Sequence, residues 1–494
     1  MLNDMPPELL GKIFGHLSAP DIIRLKLVNH TLRDAVSSQP HLQYKWELAT
    51  AGMLDNPDVP GTLSDRRTSL RAYQSGLDNL TPVGRSRLPL GLADWSQGFR
   101  GSADIFVTWT ESPDTMLHFC RPSSASGCRS TKAWSFPLTF QPGHILIHPP
   151  SDLIVLADDA SQRLYLRSMT TGEPHPLASH EWIEHDLEAL QLIVSVSDHT
   201  LSTSVPGRLI LWNWRTGTMI FDRNDLRPDS MAFIGEDRLL IAEALYTEGV
   251  APALVLLDMS GVGESLATVH EVKFVCDLRY HGNRVRIVSE QGGYSDISQV
   301  IGQEAPFYPD PSRRVLGLII TPPHDLLFGA RGTYVVRSET ILRLAREKGE
   351  GVIEWDAWGK YAVALDMDEV PGAVARYSIS GGRFVGVYIS KTTNWVKVRL
   401  WDVSRGSLQH PGVGVDGRYG LDKKARFRLI EGLVQLPQGH KQLGMLRDTL
   451  VVLTVGYSEP SLASTLIDEW IRIRQSDARW DLPGQRRLDI FNFW

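Results

Sequence analysis

The segment 180–185 comes nearest to a metal-binding motif in this chain. It reads His-Glu-Trp-Ile-Glu-His and resembles the zinc-protease pattern, but His180 and His185 are five positions apart. On a helix this spacing separates the two side chains by about 140°, so they cannot face one metal ion. The segment predicts a solvated loop or turn, and we expect neither a metal ion nor another cofactor.

A glycine-rich segment at residues 412–417 has the GxGxxG spacing of dinucleotide-binding loops. That chemistry requires a strand before the glycines and a helix after them, so that the phosphates sit at the start of the helix. Here Pro411 precedes the segment, and residues 418–420 read Arg-Tyr-Gly. The context predicts a flexible loop without a nucleotide.

Two groups of carboxylates could in principle catalyse hydrolysis. Asp158 and Asp159 are adjacent, and Asp366, Asp368 and Glu369 are close in sequence. Glycoside hydrolases place two carboxylates at a defined separation, but aspartates are also common in turns, where they bond the local backbone. The turn interpretation is simpler, so we predict no catalytic residue and a protein that is not an enzyme.

Four basic residues, Lys423, Lys424, Arg426 and Arg428, alternate in part with apolar ones. This pattern is typical of an edge strand with a charged face. It would also suit contact with an acidic or phosphorylated peptide, because guanidinium groups bind phosphate through two hydrogen bonds. Both interpretations stay open.

The composition is that of a globular chain, with 494 residues of which 42% are hydrophobic and 22% charged. A net charge of −6 gives no overall attraction to nucleic acid or to an anionic membrane. The three cysteines, Cys120, Cys128 and Cys276, cannot form a disulfide framework. Neither a signal-peptide pattern nor a long apolar run is present. We expect an intracellular protein, in the cytoplasm or the nucleus, without membrane or nucleic-acid partners.

Residues 1–50 predict three short helices. The Pro-Pro pair at residues 6–7 suits a first helical turn, Ser18 and Asn29 suit N-caps, and Pro40 ends the third helix. The apolar residues at helical spacing are Leu9, Leu10, Ile13, Phe14, Leu17, Ile22, Ile23, Leu25, Leu27, Val28, Leu32 and Val36. A unit this small has too little interior to bury them all, so part of its apolar surface needs a partner.

This pattern resembles the F-box, which opens with Leu-Pro and Glu-Leu-Leu and continues with an aliphatic-aromatic pair, Leu-Ser-x-x-Asp-Leu and Leu-x-x-Val. The matching residues are Pro6, Glu8-Leu9-Leu10, Ile13-Phe14, Leu17-Ser18, Asp21-Ile22, Leu25, Val28, Leu32-Arg33 and Val36. Met5 replaces the usual Leu, and Asn29-His30 replace a frequent Cys-Arg pair.

In the F-box family this module binds the Skp-type adaptor of a cullin ubiquitin ligase. The resemblance therefore implies a Skp-type adaptor, and through it a cullin, as partners. The residues that it assigns to adaptor contact are Pro6, Leu9, Ile13, Leu17, Ile22, Leu25 and Val28. The alternative is that these helices merely pack on the rest of the chain.

Residues 51–85 predict a helical linker. One helix continues from His41 to Ala51, and another runs from Leu63 to Leu77 after a turn. Similar connectors in F-box proteins set the distance from the adaptor to the substrate-binding domain, so we expect a rigid unit. Residues 81–84, Thr-Pro-Val-Gly, indicate its end.

Residues 86–460 predict an all-β repeat structure. Similar strand-turn segments begin at Arg163, Arg208 and Ala253, with spacings of 208 − 163 = 45 and 253 − 208 = 45 residues. A fourth begins at Lys397, 397 − 253 = 144 residues further on, close to three periods. A period of this length is typical of four-stranded propeller blades. Two degenerate blades are expected in the gap, at residues 294–300 and 334–341.

Two segments, Leu211-Trp212-Asn213 and Leu400-Trp401-Asp402, resemble WD repeats. The resemblance implies a Trp packed between blades and an Asp in a structural hydrogen-bond network. We predict a mainly β chain with an α-helical N-terminus, in which the F-box and linker helices precede a WD-repeat-like β-propeller of seven blades, or eight. Residues 461–494 predict an amphipathic helix and an aromatic tail that pack on the propeller.

These features predict the substrate-receptor subunit of a Skp-cullin-F-box E3 ubiquitin ligase, whose propeller binds a protein target. One alternative is an F-box and propeller scaffold that acts outside the ligase. A propeller enzyme is a third and less favoured possibility. The target stays unidentified, because propeller loops do not reveal their ligand in sequence.

Overall fold

The computed structural model describes residues 5–79, 84–89, 98–102, 105–109, 115–121, 132–158, 160–184, 193–197, 200–205, 208–235, 237–243, 251–259, 270–276, 283–290, 306–321, 332–365, 373–390, 395–403, 428–435, 440–446, 449–455 and 486–492. Within these ranges, no helix has both the length and the apolar composition that crossing a membrane requires.

The N-terminal part of the described chain is helical, with α1 (Pro7–Gly15), α2 (Ala19–Val28), α3 (His30–Ser37), α4 (Pro40–Ala51) and α5 (Leu63–Asn79). The predicted N-caps are confirmed. The Ser18 hydroxyl accepts a hydrogen bond from the backbone N–H of Asp21, and Asn29 Oδ1 accepts one from that of Leu32 at 2.8 Å. Helix α4 ends at Gly52, whose φ of 68° is left-handed and suits glycine.

The strands are β1 (Met53–Asp55), β2 (Gly84–Pro89), β3 (Gly98–Ser102), β4 (Ile105–Trp109), β5 (Met116–Arg121), β6 (Lys132–Pro137), β7 (His144–His148), β8 (Leu153–Asp158), β9 (Arg163–Ser168), β10 (Trp182–Glu184), β11 (Ile193–Val196), β12 (Thr200–Val205), β13 (Arg208–Asn213), β14 (Thr218–Arg223), β15 (Pro228–Gly235), β16 (Arg238–Glu243), β17 (Ala253–Asp258), β18 (His270–Val275), β19 (Arg284–Val288), β20 (Phe307–Pro309), β21 (Val315–Thr321), β22 (Gly332–Arg337), β23 (Gly351–Ile353), β24 (Val363–Leu365), β25 (Ala373–Ser380), β26 (Arg383–Ser390), β27 (Trp395–Asp402), β28 (Arg428–Gln435), β29 (His440–Leu446), β30 (Thr449–Val455) and β31 (Arg486–Asn492). Two further helices, α6 (Ser338–Lys348) and α7 (Trp355–Trp358), and 3-10 turns at Pro149–Ser151, Pro311–Arg313 and Gly359–Tyr361 lie between strands.

Most of these strands form sheets that are arranged as the blades of a propeller. The strand orders are β3-β4-β5-β6, β10-β9-β8-β7, β11-β12-β13-β14, β15-β16-β17-β18-β23, β19-β21-β22-β24, β25-β26-β27-β28 and β2-β31-β30-β29. The first strands of successive sheets contact one another in the order β3, β7, β11, β15, β19, β25 and β29, and β29 contacts β3 again. The sheets therefore form a closed ring, and the chain is mainly β with a helical N-terminus, as predicted.

The sequence predicts seven blades, or eight, whereas the described chain contains six regular four-stranded blades. Six sheets are four-stranded blades, and the sheet of β15–β18 has a fifth strand, β23, which pairs with β18 in parallel. Between the repeats at Ala253 and Lys397 the sequence predicts two blades, but the described chain contains one, β19-β21-β22-β24. Inserted segments that carry β20, α6, β23 and α7 lengthen this stretch, so dividing it by 45 residues overestimates the number of blades.

The repeats themselves are placed correctly. The segments at Arg163, Arg208, Ala253 and Lys397 lie in β9, β13, β17 and β27, and each of these is the third strand of its sheet. Of the two degenerate repeats, residues 334–341 begin in a third strand, β22, but end in α6. Residues 294–300 lie outside the described ranges.

The ring is closed by strands from both ends of the propeller. Strand β2 pairs antiparallel with β31, with Gly84 opposite Asn492, and β31 also pairs with β30. Residues 486–492 are therefore a blade strand, whereas the sequence predicts them in a tail packed on the propeller. The predicted amphipathic helix lies outside the described residues.

The β25–β28 blade has two buried faces with different partners. Phe384 and Trp401, opposite each other in register, pack with Ile319 and Val335 of the neighbouring blade, so Trp401 packs between blades as the WD resemblance implies. The other face packs on helices α4 and α5. This second contact forms a junction core of Tyr44, Leu48, Ala51, Met53, Leu70, Tyr73, Leu77, Phe307, Val385, Val387, Val398 and Leu400.

Candidate functional site

The N-terminal helices have a small hydrophobic core of their own, here called the N-terminal core. Its members are Leu10, Phe14, Ile22, Leu32, Ala35, Val36 and Leu42. On α1, Leu10 and Phe14 are one helical turn apart and face this core, being 2% exposed each. The core fixes the mutual orientation of the helices, which determines the apolar side chains that remain on the surface.

Among the side chains of these helices whose burial the structure describes, four large apolar ones are exposed. Leu9 and Ile13 on α1 are 46% and 42% exposed, and Leu27 and Val28 at the end of α2 are 66% and 65% exposed. Leu9 and Ile13 are one helical turn apart and Leu27 and Val28 are adjacent in sequence, so each pair exposes joined apolar surface of the kind that interaction sites use. We refer to these four residues as the apolar face.

Three of the predicted adaptor contacts, Leu9, Ile13 and Val28, belong to the apolar face. Pro6 is also exposed, while Leu17 and Leu25 are half-buried at the edge of the N-terminal core. Ile22 is 0% exposed. Its side chain packs inside the N-terminal core in this arrangement, and its assignment to adaptor contact stays a prediction.

Leu27 was missed by the family pattern, although it is the most exposed member of the apolar face. Its neighbour Leu25 matches the pattern but is half-buried. Helical spacing could have identified Leu27, because it lies five residues after the buried Ile22 and so points to a different side of α2.

Polar contacts hold α2 and α4 in place near the apolar face. The Ser18 hydroxyl and the Arg24 guanidinium both donate to Asp21, at 2.5 and 2.8 Å. These hydrogen bonds lower the pKa of Asp21. The Lys26 ammonium lies 4.6 Å above the ring of Trp46, which joins the end of α2 to α4.

The middle of helix α4 is hydrogen-bonded to both α1 and α5. Lys45 Nζ donates to the carbonyl of Gly15 at 2.9 Å. Glu47 accepts two hydrogen bonds from Arg67 and one from Arg71, each at 2.8 Å. Burial acts to raise the pKa of Glu47, but the two guanidinium groups outweigh it and hold the pKa below its usual range.

The linker also pairs with the propeller through its backbone. Strands β1 and β20 form a two-stranded sheet, with Leu54 opposite Tyr308. The Asn56 N–H donates to the carbonyl of Pro306 at 3.0 Å, and the Arg313 guanidinium donates to the carbonyl of Ala49. The predicted linker is thus built into the propeller surface, which supports the expected rigidity.

Arg383, at the start of β26, is the buried polar centre of this junction. It is 4% exposed and donates to the hydroxyl of Tyr73 on α5 and to the carbonyl of Ala51 at 3.4 Å. Its Nε lies 3.6 Å from Asp402 Oδ2, and that carboxylate is also buried. Asp402 is the WD-like aspartate, so the structural network that the resemblance implies here includes the linker.

The other candidate residues that the structure describes lie in turns and strands. His180 lies in a bend, where its ring packs against Gly217, and Trp182–Glu184 forms β10. Asp158 accepts hydrogen bonds from Ala160 N–H and the Ser161 hydroxyl, at 3.1 and 2.6 Å, which confirms a turn role. No group of metal-binding side chains occurs among the described residues.

Several candidates lie outside the described residues. They are His185, Asp159, the carboxylates at 366–369, the glycine segment 412–417 and the basic residues 423–426. Arg428 begins β28. The proposed contact of this basic segment with an acidic or phosphorylated peptide stays a prediction.

The helices and the ring of sheets define a class of protein. A family model described as the F-box domain matches residues 2–44, and the ring that follows is a β-propeller. The chain therefore carries an F-box domain joined to a β-propeller. No curated protein matches it.

Two solved structures are similar to large parts of the chain. Kluyveromyces lactis Hsv2 has a TM-score of 0.41 at 10% identity, covering 73% of this chain and 92% of that one. The WD40 domain of SCAP from fission yeast has a TM-score of 0.40 at 9% identity, covering 83% and 97%. Likenesses this weak say nothing about function, and the propeller architecture rests on the strand order of this chain.

Proposed function

We propose that this chain is the substrate-receptor subunit of a Skp-cullin-F-box ubiquitin ligase. The F-box would bind a Skp-type adaptor, which connects it to a cullin, and the propeller would bind a protein target. The observation that carries this proposal is the apolar face of an F-box domain that is joined to a propeller by a buried junction.

Such a subunit makes and breaks no bonds itself. It acts by holding a target beside the ubiquitin-loaded enzyme, which raises the effective concentration of the target's lysines there. This function requires an intracellular location, in the cytoplasm or the nucleus. It also requires a fixed geometry between the two binding sites, and the junction core and the β1–β20 pairing support this requirement.

The apolar face is a suitable anchor for an adaptor but is not sufficient alone. A fully buried aliphatic side chain contributes roughly 1.5–3 kcal/mol, and these four side chains are about half exposed, so burying them contributes roughly 3–6 kcal/mol. Association costs about 4–15 kcal/mol. We therefore expect Leu17, Leu25 and polar groups around the face to contribute to the contact as well.

The test is adaptor binding by the full chain. Leu9→Asp with Val28→Asp places two charges on the apolar face, and we expect at least about 100-fold weaker binding of a purified Skp-type adaptor. Both side chains are exposed, so circular dichroism should show an unchanged fold. Met219→Asp is the matched control, because Met219 is 50% exposed on a propeller strand.

Unchanged adaptor binding by the double variant would contradict the proposal. The cullin is tested separately, by co-purification of a cullin with the complex of chain and adaptor. Adaptor binding without cullin association would favour the alternative in which the F-box and propeller act as a scaffold outside the ligase. Capture of modified targets while the proteasome is inhibited would identify what the propeller binds.

A further inference from the structure

Helix α4 belongs to two hydrophobic cores at once. Leu42, near its start, is a fully buried member of the N-terminal core, while Tyr44, Leu48 and Ala51 belong to the junction core. The helix runs without a break from Pro40 to Ala51. Because helix formation is cooperative, loosening either core weakens the helical segment that supports the other.

Helix α5 covers a blade face and precedes, in the chain, the strand that closes the ring. Its residues Leu70, Tyr73 and Leu77 pack on the face of the β25–β28 blade opposite to the one that contacts the preceding blade. Residues 80–83 then connect α5 to β2, the strand that pairs with β31 to close the ring. The linker helices are therefore positioned to affect both this blade and ring closure.

We propose that α4 and α5 couple the F-box to the propeller, so that adaptor binding at the F-box stabilises the β25–β28 blade and the closure of the ring. The role of the adaptor rests on the proposed function, whereas the coupling is a property of the free chain. Thermodynamic linkage makes this coupling reciprocal. If adaptor binding increases the affinity for a target that stabilises the closed ring, the target increases the affinity for the adaptor by the same factor. The inference thus predicts cooperative assembly of adaptor, receptor and target.

The coupling is tested in the free full-length chain by hydrogen exchange. Phe14→Ala removes a ring from the N-terminal core, far in sequence from the blade, and leaves the junction core intact. We expect the amides of β26 and β27 to exchange at least about tenfold faster, with those of β8 and β9 unchanged. The control is Ile13→Ala at the exposed neighbouring position, which should leave the exchange of both groups of amides unchanged. If Phe14→Ala does not fold, Phe14→Leu is used in its place.

Faster exchange confined to α1, α2 and α3 would overturn the coupling. In a second arm, a purified Skp-type adaptor is added to the wild-type chain, and slower exchange is expected in β26, β27, β2 and β31 as well as in the F-box. Protection limited to the F-box would also overturn it. If the adaptor does not bind, the proposed function fails, and the Phe14→Ala comparison still decides the coupling.

Discussion

Arg383 joins three parts of the molecule at the scale of single residues. Its guanidinium contacts Tyr73 of the linker, the carbonyl at the end of α4 and the buried Asp402 of the propeller. A buried guanidinium is favourable only while its hydrogen bonds and counter-charge are in place. Stability at this junction therefore depends on a complete set of partners.

Replacing this arginine should be strongly destabilising. Arg383→Leu removes the buried guanidinium beside Asp402 and its hydrogen bonds to Tyr73 and Ala51, and we expect a loss of about 3–5 kcal/mol in the free energy of unfolding, measured by urea denaturation. Arg208→Leu is the control, because Arg208 and Asp222 form an ion pair with side chains 33% and 27% exposed and should change stability by about 1 kcal/mol or less. Equal effects of the two variants would contradict the role of Arg383.

Glu47 should make stability depend on acidic pH. Its pKa is lower in the folded chain than in the unfolded chain, so its contribution is complete above the unfolded value of about 4.3 and is lost as the pH falls toward the folded value. Glu47→Gln should remove this part of the acid sensitivity. The measurement is the urea midpoint of unfolding at several pH values between neutral and acidic. If the midpoint falls with pH equally in the wild type and in Glu47→Gln, Glu47 does not cause this part of the acid sensitivity.

The sequence predicted only part of which F-box residues are exposed, because a family pattern identifies apolar positions and does not say whether each one is buried. The helical spacing of apolar residues located α1 and α2, and the F-box resemblance named Leu9, Ile13 and Val28, which are exposed. It could not separate them from Ile22, because burial depends on which side of α2 meets the N-terminal core. Leu27 was missed for the same reason.

At the scale of elements, helix α5 packs on one face of the β25–β28 blade. Its apolar side chains, among them Leu70 at 0% exposure, cover the β25–β28 blade. Helical periodicity predicted α5, but its partner strands follow more than 300 residues later. Local sequence has no information about such a contact, so the linker was expected as a connector rather than as part of the propeller.

Truncating this helix face should destabilise the propeller. Leu70→Ala opens a cavity in the junction core and is expected to cost about 2–5 kcal/mol, seen as a lower unfolding midpoint of the whole chain. Thr68→Ala on the exposed side of α5 is the control and should have little effect. A Leu70→Ala variant that unfolds like the wild type would show that α5 does not support the blade.

At the scale of the whole molecule, stability depends on closing the ring. Strand β31 pairs with both β30 and β2, so its removal leaves two unpaired strand edges. Exposed edges favour pairing with other chains. Closure by distant parts of the chain also explains why the predicted boundary at residue 460 separated β31 from the propeller to which it belongs.

Deleting residues 486–492 should therefore cause association. We expect the shortened chain to elute as larger species in size-exclusion chromatography and to unfold at a lower temperature than the full chain. Replacing Asp489 with Asn keeps the backbone pairing and serves as the control. A monomeric deletion variant with an unchanged unfolding temperature would contradict closure through β31.

The sequence by itself determined the F-box, the helices that form it and the repeated third strands of the blades. These features depend on local spacing and capping, which act over a few residues. Tertiary structure decided the blade count, the partner of β31 and the buried junction with the linker. Those features depend on contacts between residues hundreds of positions apart, and no local pattern specifies which distant surfaces meet.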